Sequence, residues 1–419
     1  MLTHRWIIAL LLASLVCLSQ TANAQKPTLI SQCPYVNHQS DLACLIPSAA
    51  VTGGSNRLQS FNTTLAQVLG QLPLAVPVSG FALTFDKTLG IPVVSSENLG
   101  SVLTERGETI GKHKLFLGFT FQRFAFQTVD GVKLSNLPVV FQNQDASVFG
   151  TANNQLAANI DQYTAVAAFG LTDRIDVSMM LPIERISMSA SASNIWQAPA
   201  PTGVATHFAD AQKITGEANG PGDLVVSVKA TLWKGERFRL AGGTEVRFPT
   251  GDEFNLLGSG AYGVKPFIVL SRRGRITPHA NLGYQWNGQS VLYLSSSGGN
   301  LNLPGSLQYS GGVDVGVVKR LTVVADLLGQ HFFDAPRVTG PDTATSQNVP
   351  GLPDALTNLG FTLKTIGVRN EAFDEDSLGV GIKVNPVGRL LVSANVLIKL
   401  NEPGLRARFV PLVGISYKF

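Results

Sequence analysis

Residues 276–286, ITPHANLGYQW, alternate between two kinds of side chain. One row is apolar and includes Ile276, Leu282 and Trp286, whereas the other includes His279 and further polar residues. Successive side chains of a β-strand point to opposite faces, so the stretch predicts a strand with one apolar and one polar face. In a soluble sandwich the apolar face would be the core. In a membrane barrel it would face lipid, and the polar face would line the lumen.

The spacing of the connections separates these two folds. Residues 224–232 and 238–248 repeat the alternation, and only a tight turn lies between them. Short connections recur at 171–174, 234–237, 272–275, 319–320 and 385–388. Between them come long segments rich in Gly, Pro, Ser, Asn and Asp, at 129–159, 189–221, 250–259, 288–305, 334–376 and 401–406. Strict alternation of short and long connections is typical of an up-and-down barrel and not of a Greek-key sandwich.

Counting strands between these connections gives about twelve, an even number with both chain termini on the periplasmic side. The predicted strands are 114–128, 160–170, 173–188, 222–233, 237–249, 260–271, 275–287, 306–318, 321–333, 377–385, 389–400 and 407–419. The sequence therefore predicts an all-β fold, a transmembrane antiparallel up-and-down β-barrel. A further short strand at Phe81–Phe85 would make fourteen strands the alternative.

The final strand carries the most specific signal. One alternate row consists of Phe409, Pro411, Val413, Ile415, Tyr417 and Phe419. The row resembles the C-terminal signature of outer-membrane barrels, which ends in an aromatic residue. We therefore expect Tyr417 and Phe419 to be the signal for the barrel assembly machinery.

Composition supports a membrane location. Charged residues make up 14% of the chain, against about 25% in soluble domains, and the mean hydropathy is +0.17. Beyond the N-terminus, no apolar run approaches the ~20 residues that a transmembrane helix needs. The net charge of +4 comes without a long basic block, so we expect outer-membrane lipid as a partner and no nucleic acid.

The chain divides into three parts. Residues 1–24 read as a cleaved signal peptide, with a basic start at His4 and Arg5, an apolar run and Ala22-Asn23-Ala24 before the cleavage point. Residues 25–110 lack the regular succession of alternating strands and turns, and 111–419 form the predicted barrel. We expect an integral protein of the bacterial outer membrane.

Two features stand out in the segment 25–110. Cys33 and Cys44 remain after Cys17 leaves with the signal peptide, and we expect a disulfide between them, with two free thiols as the alternative. Apolar residues such as Leu58, Leu65 and Leu69 share one helical face between about 55 and 71. That helix would either plug the lumen or lie against the periplasmic end of the barrel.

The central third resembles a family of outer-membrane barrels associated with the meta-pathway of phenol degradation and described as transporters. The motifs that carry the resemblance are Gly222-Asp223-Leu224, Pro249-Thr250-Gly251-Asp252, Gly258-Ser259-Gly260 and Pro278-His279-Ala280-Asn281-Leu282-Gly283-Tyr284. The resemblance implies a transport function and an association with aromatic substrates.

Polar-phase positions of the strands are the candidate lining of the lumen. They are Lys229, Arg239, Glu245, Arg247, Lys265, His279, Asp314, Asp326, Lys383, Asn395, Lys399 and Arg408. Ionisable groups at membrane depth must face water or one another. They would either line a polar conduit or pair with one another and fill a narrow barrel. The first alternative predicts a channel for passive passage of small solutes, hydrophobic or aromatic ones included.

Two other functions remain open. Some barrels of this strand number are lipid hydrolases, and His38-Gln39-Ser40 is the only His-x-Ser in the chain. A structural or adhesive barrel is the other alternative. No metal-ligand cluster is evident among the six histidines, so we expect no enzyme activity, no metal and no cofactor.

Overall fold

The computed structural model describes residues 35, 37–38, 40–49, 55–69, 72, 83–86, 91–94, 98–142, 148–199, 206–210, 213–295, 298–344 and 363–419. The predicted signal peptide and Cys33 lie outside these residues.

Twelve antiparallel strands form one closed barrel. They are β1 Leu115–Val129, β2 Val148–Gly170, β3 Ile175–Pro199, β4 Leu224–Lys234, β5 Phe238–Phe248, β6 Gly263–Arg272, β7 Ile276–Asn287, β8 Ser306–Val318, β9 Leu321–Ala344, β10 Leu363–Val384, β11 Leu390–Lys399 and β12 Phe409–Lys418. Each strand pairs with the next along the chain. β12 closes the ring against β1, with Val413 opposite Phe121. The predicted twelve-stranded barrel is confirmed, and closure leaves no free edge in the ring.

The fourteen-stranded alternative is wrong. Leu83–Asp86 does form a strand, but it pairs with Ile91–Val94 in a separate two-stranded sheet. The barrel ring therefore gains no strand from this segment.

The outward face of the barrel is apolar, as the alternation predicts. Ile268, Leu282 and Val413 are each about half exposed, although they are large hydrophobic residues. Exposed aromatic residues form two girdles, with Trp233, Phe238, Tyr417 and Phe419 toward the short turns and Phe248, Tyr262, Trp286 and Phe333 toward the long loops. Such a band flanked by aromatic rings is the surface that a bilayer covers.

Two hairpins are longer than predicted. β2 and β3 contain 23 and 25 residues, whereas a membrane-spanning strand needs about 9–11. Their extensions, like those of β9 and β10, occupy parts of the segments predicted as loops. Small or polar residues dominate the extension of β3, as in the stretch SMSASAS at 187–193. Without hydrophobic contrast between its faces, such a strand resembles a loop in sequence.

Two helices precede the barrel. Helix α1 is Leu42–Ala49, and helix α2 is Ser55–Leu69, in the segment where the sequence predicts a helix. Among the described residues, neither helix is long and apolar enough to cross a membrane. Cys44, in α1, is disulfide-bonded. Its expected partner, Cys33, is not among the described residues.

Both helices pack inside the long-loop half of the barrel. Leu42, Leu45 and Leu65 share one buried apolar cluster with inward-facing residues such as Phe126 and Ile186. In α2 the hydroxyl of Thr63 donates to the carbonyl oxygen of Leu292, at 3.1 Å. The long-loop half of the interior is therefore filled mainly by apolar contacts.

Candidate functional site

Residues 98–110, called here the crossing segment, occupy the short-turn half of the interior. The amide of Leu99 donates to Thr322 Oγ1 at 2.8 Å, on β9. Thr231, on β4, donates its hydroxyl to the carbonyl oxygen of Gly107 at 2.7 Å. The amide of Ile110 donates to Asp176 Oδ2 at 2.8 Å, on β3. The crossing segment thus contacts strands on different sides of the barrel.

Arg106 makes the central contact of the crossing segment. Its Nε and Nη2 both donate to Asp314 Oδ2, at 3.0 and 2.5 Å. Nη2 also donates to Asn98 Oδ1 at 2.8 Å, which ties the crossing segment to itself. Asp314, on β8, is completely buried. A buried carboxylate needs such a partner, because water cannot solvate its charge.

His279 joins the same cluster from β7. Its Nε2 lies 2.8 Å from Asp326 Oδ1 and 2.7 Å from Thr104 Oγ1, and its Nδ1 lies 3.5 Å from Asp314 Oδ2. Gly312 makes this approach possible, since a Cβ there would lie 2.6 Å from His279 Nε2 and would overlap Asp326 Oδ1. The three ionisable residues come from consecutive strands β7, β8 and β9.

The trio of His279, Asp314 and Asp326 also satisfies the spacing of metal ligands, with one ligand atom from each residue within 4.8 Å of the others. The arrangement fits the organic cations better than a metal ion. Arg106 already binds Asp314, and the buried Lys383 lies close enough to influence the same carboxylate. A divalent ion would have to compete with Arg106, whose guanidinium already neutralises Asp314.

Two lysines of the wall bind the crossing segment as well. Lys229 Nζ lies 2.5 Å from Glu105 Oε2 and donates to the carbonyl oxygen of Arg106 at 3.2 Å. Lys383 Nζ donates to the carbonyl oxygen of Ser101 at 3.0 Å, and Lys383 is 1% exposed. These lysines face the interior, and their Nζ atoms bind the crossing segment.

Other predicted lining residues pair within the wall. Lys265 Nζ lies 2.6 Å from Glu245 Oε2, directly across from it on the neighbouring strand. Arg247 Nε lies 3.6 Å from Asp223 Oδ2, and Lys399 Nζ lies 2.6 Å from Glu402 Oε2. Arg239 and Asn395 are also buried.

Arg408 differs from its predicted position. It is exposed, and its guanidinium carbon lies 5.2 Å from the centre of the outward-facing Phe409 ring. Arg406 is buried instead, and its Nη1 lies 2.9 Å from Glu375 Oε2. The reason is a shift of register between Arg406 and Ala407, which breaks the alternation on which the prediction depended.

Sequence reasoning missed the partners of these residues. Glu105 and Arg106 lie in a segment with no strand periodicity, so nothing placed them in the lumen. The run Thr104–Glu108, with three charges in five residues, was the available signal. Its position before the first strand does not reveal which wall residues it meets.

The His-x-Ser motif forms no catalytic arrangement in the described residues. His38 Nδ1 lies 2.8 Å from Asp41 Oδ2, and the His38 ring stacks on Phe254 with centroids 3.5 Å apart. In this part of the chain, no hydrogen bond joins Ser40 to His38. A serine nucleophile needs that bond to lose its proton.

Two neighbouring cavities lie between the described part of the N-terminal segment and the wall. The mid-barrel cavity has a volume of about 180 Å³ and is lined by polar residues such as Glu245, Lys265 and Asn281. The aromatic-lined cavity has a volume of about 100 Å³, and its wall includes Phe124, Phe126, Phe332, Leu397 and Val410. Leu72, Leu328 and Gln330 line both cavities, so the two spaces are neighbours along the interior.

One known family matches the central part of the chain. Residues 139–319 match the family described as "Putative MetA-pathway of phenol degradation". The family resemblance seen in the sequence is thereby confirmed. The matched residues include all the motifs between 222 and 284 that carry it. No curated protein matches the chain in sequence.

Solved structures of outer-membrane proteins are similar at low identity. An outer-membrane channel from Pseudomonas putida F1 is 12% identical over 74% of this chain and 97% of its own, with a TM-score of 0.41. The NanC porin is 8% identical over 73% and 100%, with a TM-score of 0.37. The translocator domain of the autotransporter NalP from Neisseria meningitidis is 10% identical over 74% and 89%, with a TM-score of 0.36.

Proposed function

We propose that the protein is an outer-membrane channel for passive passage of small solutes, hydrophobic or aromatic ones included, and that its N-terminal segment closes it. The observation that carries the proposal is the occupied interior. The crossing segment binds the short-turn half through hydrogen bonds and ion pairs, whose polar groups water can solvate once the segment leaves. The mid-barrel cavity already lies beside it, and the aromatic-lined cavity adjoins that cavity. A purely structural barrel has no need of a separate segment held in this way.

The proposed orientation follows from the connections. Tight turns face the periplasm in outer-membrane barrels, and longer loops face outward. The C-terminal end of β12 and the crossing segment then lie on the periplasmic side. The gate is therefore a periplasmic gate, and the helices α1 and α2 lie toward the outer loops.

Assembly is proposed to depend on the last residues. Tyr417 lies on the outward row of β12, and Phe419 follows directly after the strand. Their ring centroids are 4.7 Å apart, and both are well exposed. Their rings are accessible to the assembly machinery before lipid covers them.

Deleting Phe419 is expected to reduce the amount of folded barrel in the outer membrane several-fold, measured by heat-modifiable gel migration. The control is Leu400→Ala, which removes an exposed apolar residue in the turn after β11. Equal amounts of folded protein in the Phe419 deletion and the wild type would refute the signal.

Conductance tests the channel. Purified full-length protein and a variant lacking residues 25–107 would be inserted into planar bilayers, with folding checked by circular dichroism. We expect a large increase in conductance on deletion, because the crossing segment no longer fills the short-turn half. A folded deletion variant without conductance would exclude a channel and favour the structural or adhesive alternative. Uptake of uncharged aromatic compounds, aromatic acids and sugars would then be measured in a strain that lacks the protein and in its parent. The solutes whose uptake falls in the deletion strain are those that the channel passes.

A further inference from the structure

The aromatic-lined cavity has the composition of a small-molecule site. Phe124 and Phe126 from β1 stack on each other, with centroids 6.2 Å apart. Phe332 from β9 stacks on Phe373 at 5.0 Å and is almost completely buried. Val68 and Leu72 of the N-terminal segment complete the lining. Binding pockets for small molecules are concave, mostly apolar and rich in aromatic side chains, with a few polar groups.

The charged groups at this cavity are already neutralised. Arg406 Nη1 lies 2.9 Å from Glu375 Oε2, and Arg406 Nη2 donates to Ser377 Oγ at 2.8 Å. Lys399 Nζ lies 2.6 Å from Glu402 Oε2. A carboxylate entering the cavity would lose its hydration and find no unpaired cation among the described lining residues. The site therefore favours an uncharged ligand.

The volume limits the ligand to one ring. An apolar protein cavity of about 150 Å³ lined by Leu, Ile and Phe stays dry and binds benzene. At about 100 Å³ the aromatic-lined cavity is somewhat smaller, and two fused rings would not fit without rearrangement. The edges and faces of Phe124, Phe126 and Phe332 can pack against a planar ring.

We infer that the aromatic-lined cavity is a binding subsite for an uncharged solute with a single aromatic ring. The inference rests on the proposed channel function, since it names the class of solute that pauses inside the barrel. The ligand lies between the barrel wall and the N-terminal segment, which both line the cavity.

Binding of fluorinated probes tests the subsite. The full-length protein in lipid nanodiscs is titrated with 4-fluorophenol or 4-fluorobenzoate, and ¹⁹F line widths are measured at neutral pH. There the phenol is uncharged and the benzoate is charged. We expect saturable binding of 4-fluorophenol and at least about tenfold weaker binding of 4-fluorobenzoate. Empty nanodiscs report partitioning into lipid. Equal saturable binding of the two probes would overturn the inference.

Two variants locate the binding. Ala407 lines the cavity, so Ala407→Phe fills it and should abolish saturable binding of 4-fluorophenol. The matched control, Val413→Phe, adds a ring at an outward position of β12, the strand that follows Ala407, and should leave binding unchanged. Phe124→Leu enlarges the cavity and should add saturable binding of 1-fluoronaphthalene. If Ala407→Phe does not fold, the Phe124→Leu variant provides the test. If folded Phe124→Leu shows no saturable binding of 1-fluoronaphthalene, the inference is overturned.

Binding and conductance separate the two proposals. Saturable binding by a barrel that never conducts would leave the subsite intact and refute the channel. Conductance by a barrel that shows only partitioning of the probes would leave the channel intact and refute the subsite.

Discussion

Replacing Arg106 with alanine is expected to raise the ratio of open to closed channels by about a hundredfold or more. Arg106 donates twice to Asp314 Oδ2, and Asp314 is completely buried. Removing one partner of a buried ion pair costs about 3–5 kcal/mol, because the other charge is left without solvation. Opening relieves this cost, since water reaches Asp314 once the crossing segment leaves. Each 1.4 kcal/mol corresponds to about a tenfold change in the ratio.

Single-channel recording measures this ratio as the open probability. Arg185→Ala is the matched control, because Arg185 pairs with Glu217 at 3.1 Å and both side chains are exposed. An exposed pair contributes only about 0–1 kcal/mol, so the open probability should hardly change. Adding Asp314→Asn to Arg106→Ala removes the stranded charge and should restore most of the closure. An unchanged open probability in Arg106→Ala would show that this ion pair does not hold the gate.

An arginine in the middle of the outward face is expected to destabilise the barrel by about 2–4 kcal/mol, the cost of this residue at the bilayer midplane. Ile268 occupies such a position, halfway along β6 and 45% exposed. Ile268→Arg places a guanidinium in hydrocarbon, where no water solvates it. The free energy of unfolding in lipid vesicles, from denaturant titration, measures the effect.

The loss in the free energy of unfolding should depend on how deep in the bilayer the arginine lies. Trp233→Arg introduces the same residue near the end of β4, where Trp233 is 54% exposed beside a short turn. Near the interface an arginine costs only about 0–1 kcal/mol. Equal losses at the two positions would mean that the outward face is not immersed in a bilayer.

Much of the barrel could be predicted because lipid acts on each strand separately. Within the bilayer, outward side chains meet hydrocarbon whichever strand they belong to, so the alternation in 276–286 can be recognised without knowing which strands lie beside it. The same rule failed where hydrophobic contrast was missing, as in 187–193, and where the register shifts, as at Arg406.

The candidate site was only half predictable. The strand phase placed Lys229, His279 and Asp314 on the polar face, and the structure turns them toward the interior. Their partners lie far away in sequence, since Arg106 and Asp314 are 208 positions apart. No local pattern encodes that distance.

The amino-acid sequence alone determined a twelve-stranded antiparallel barrel with an apolar exterior, because alternation and turn spacing are local properties that the bilayer imposes on every strand. Only the tertiary structure decided what fills that barrel. The contacts of the crossing segment and the lining of the aromatic-lined cavity join residues that are far apart in the sequence. These residues come together only when the sheet closes into a barrel.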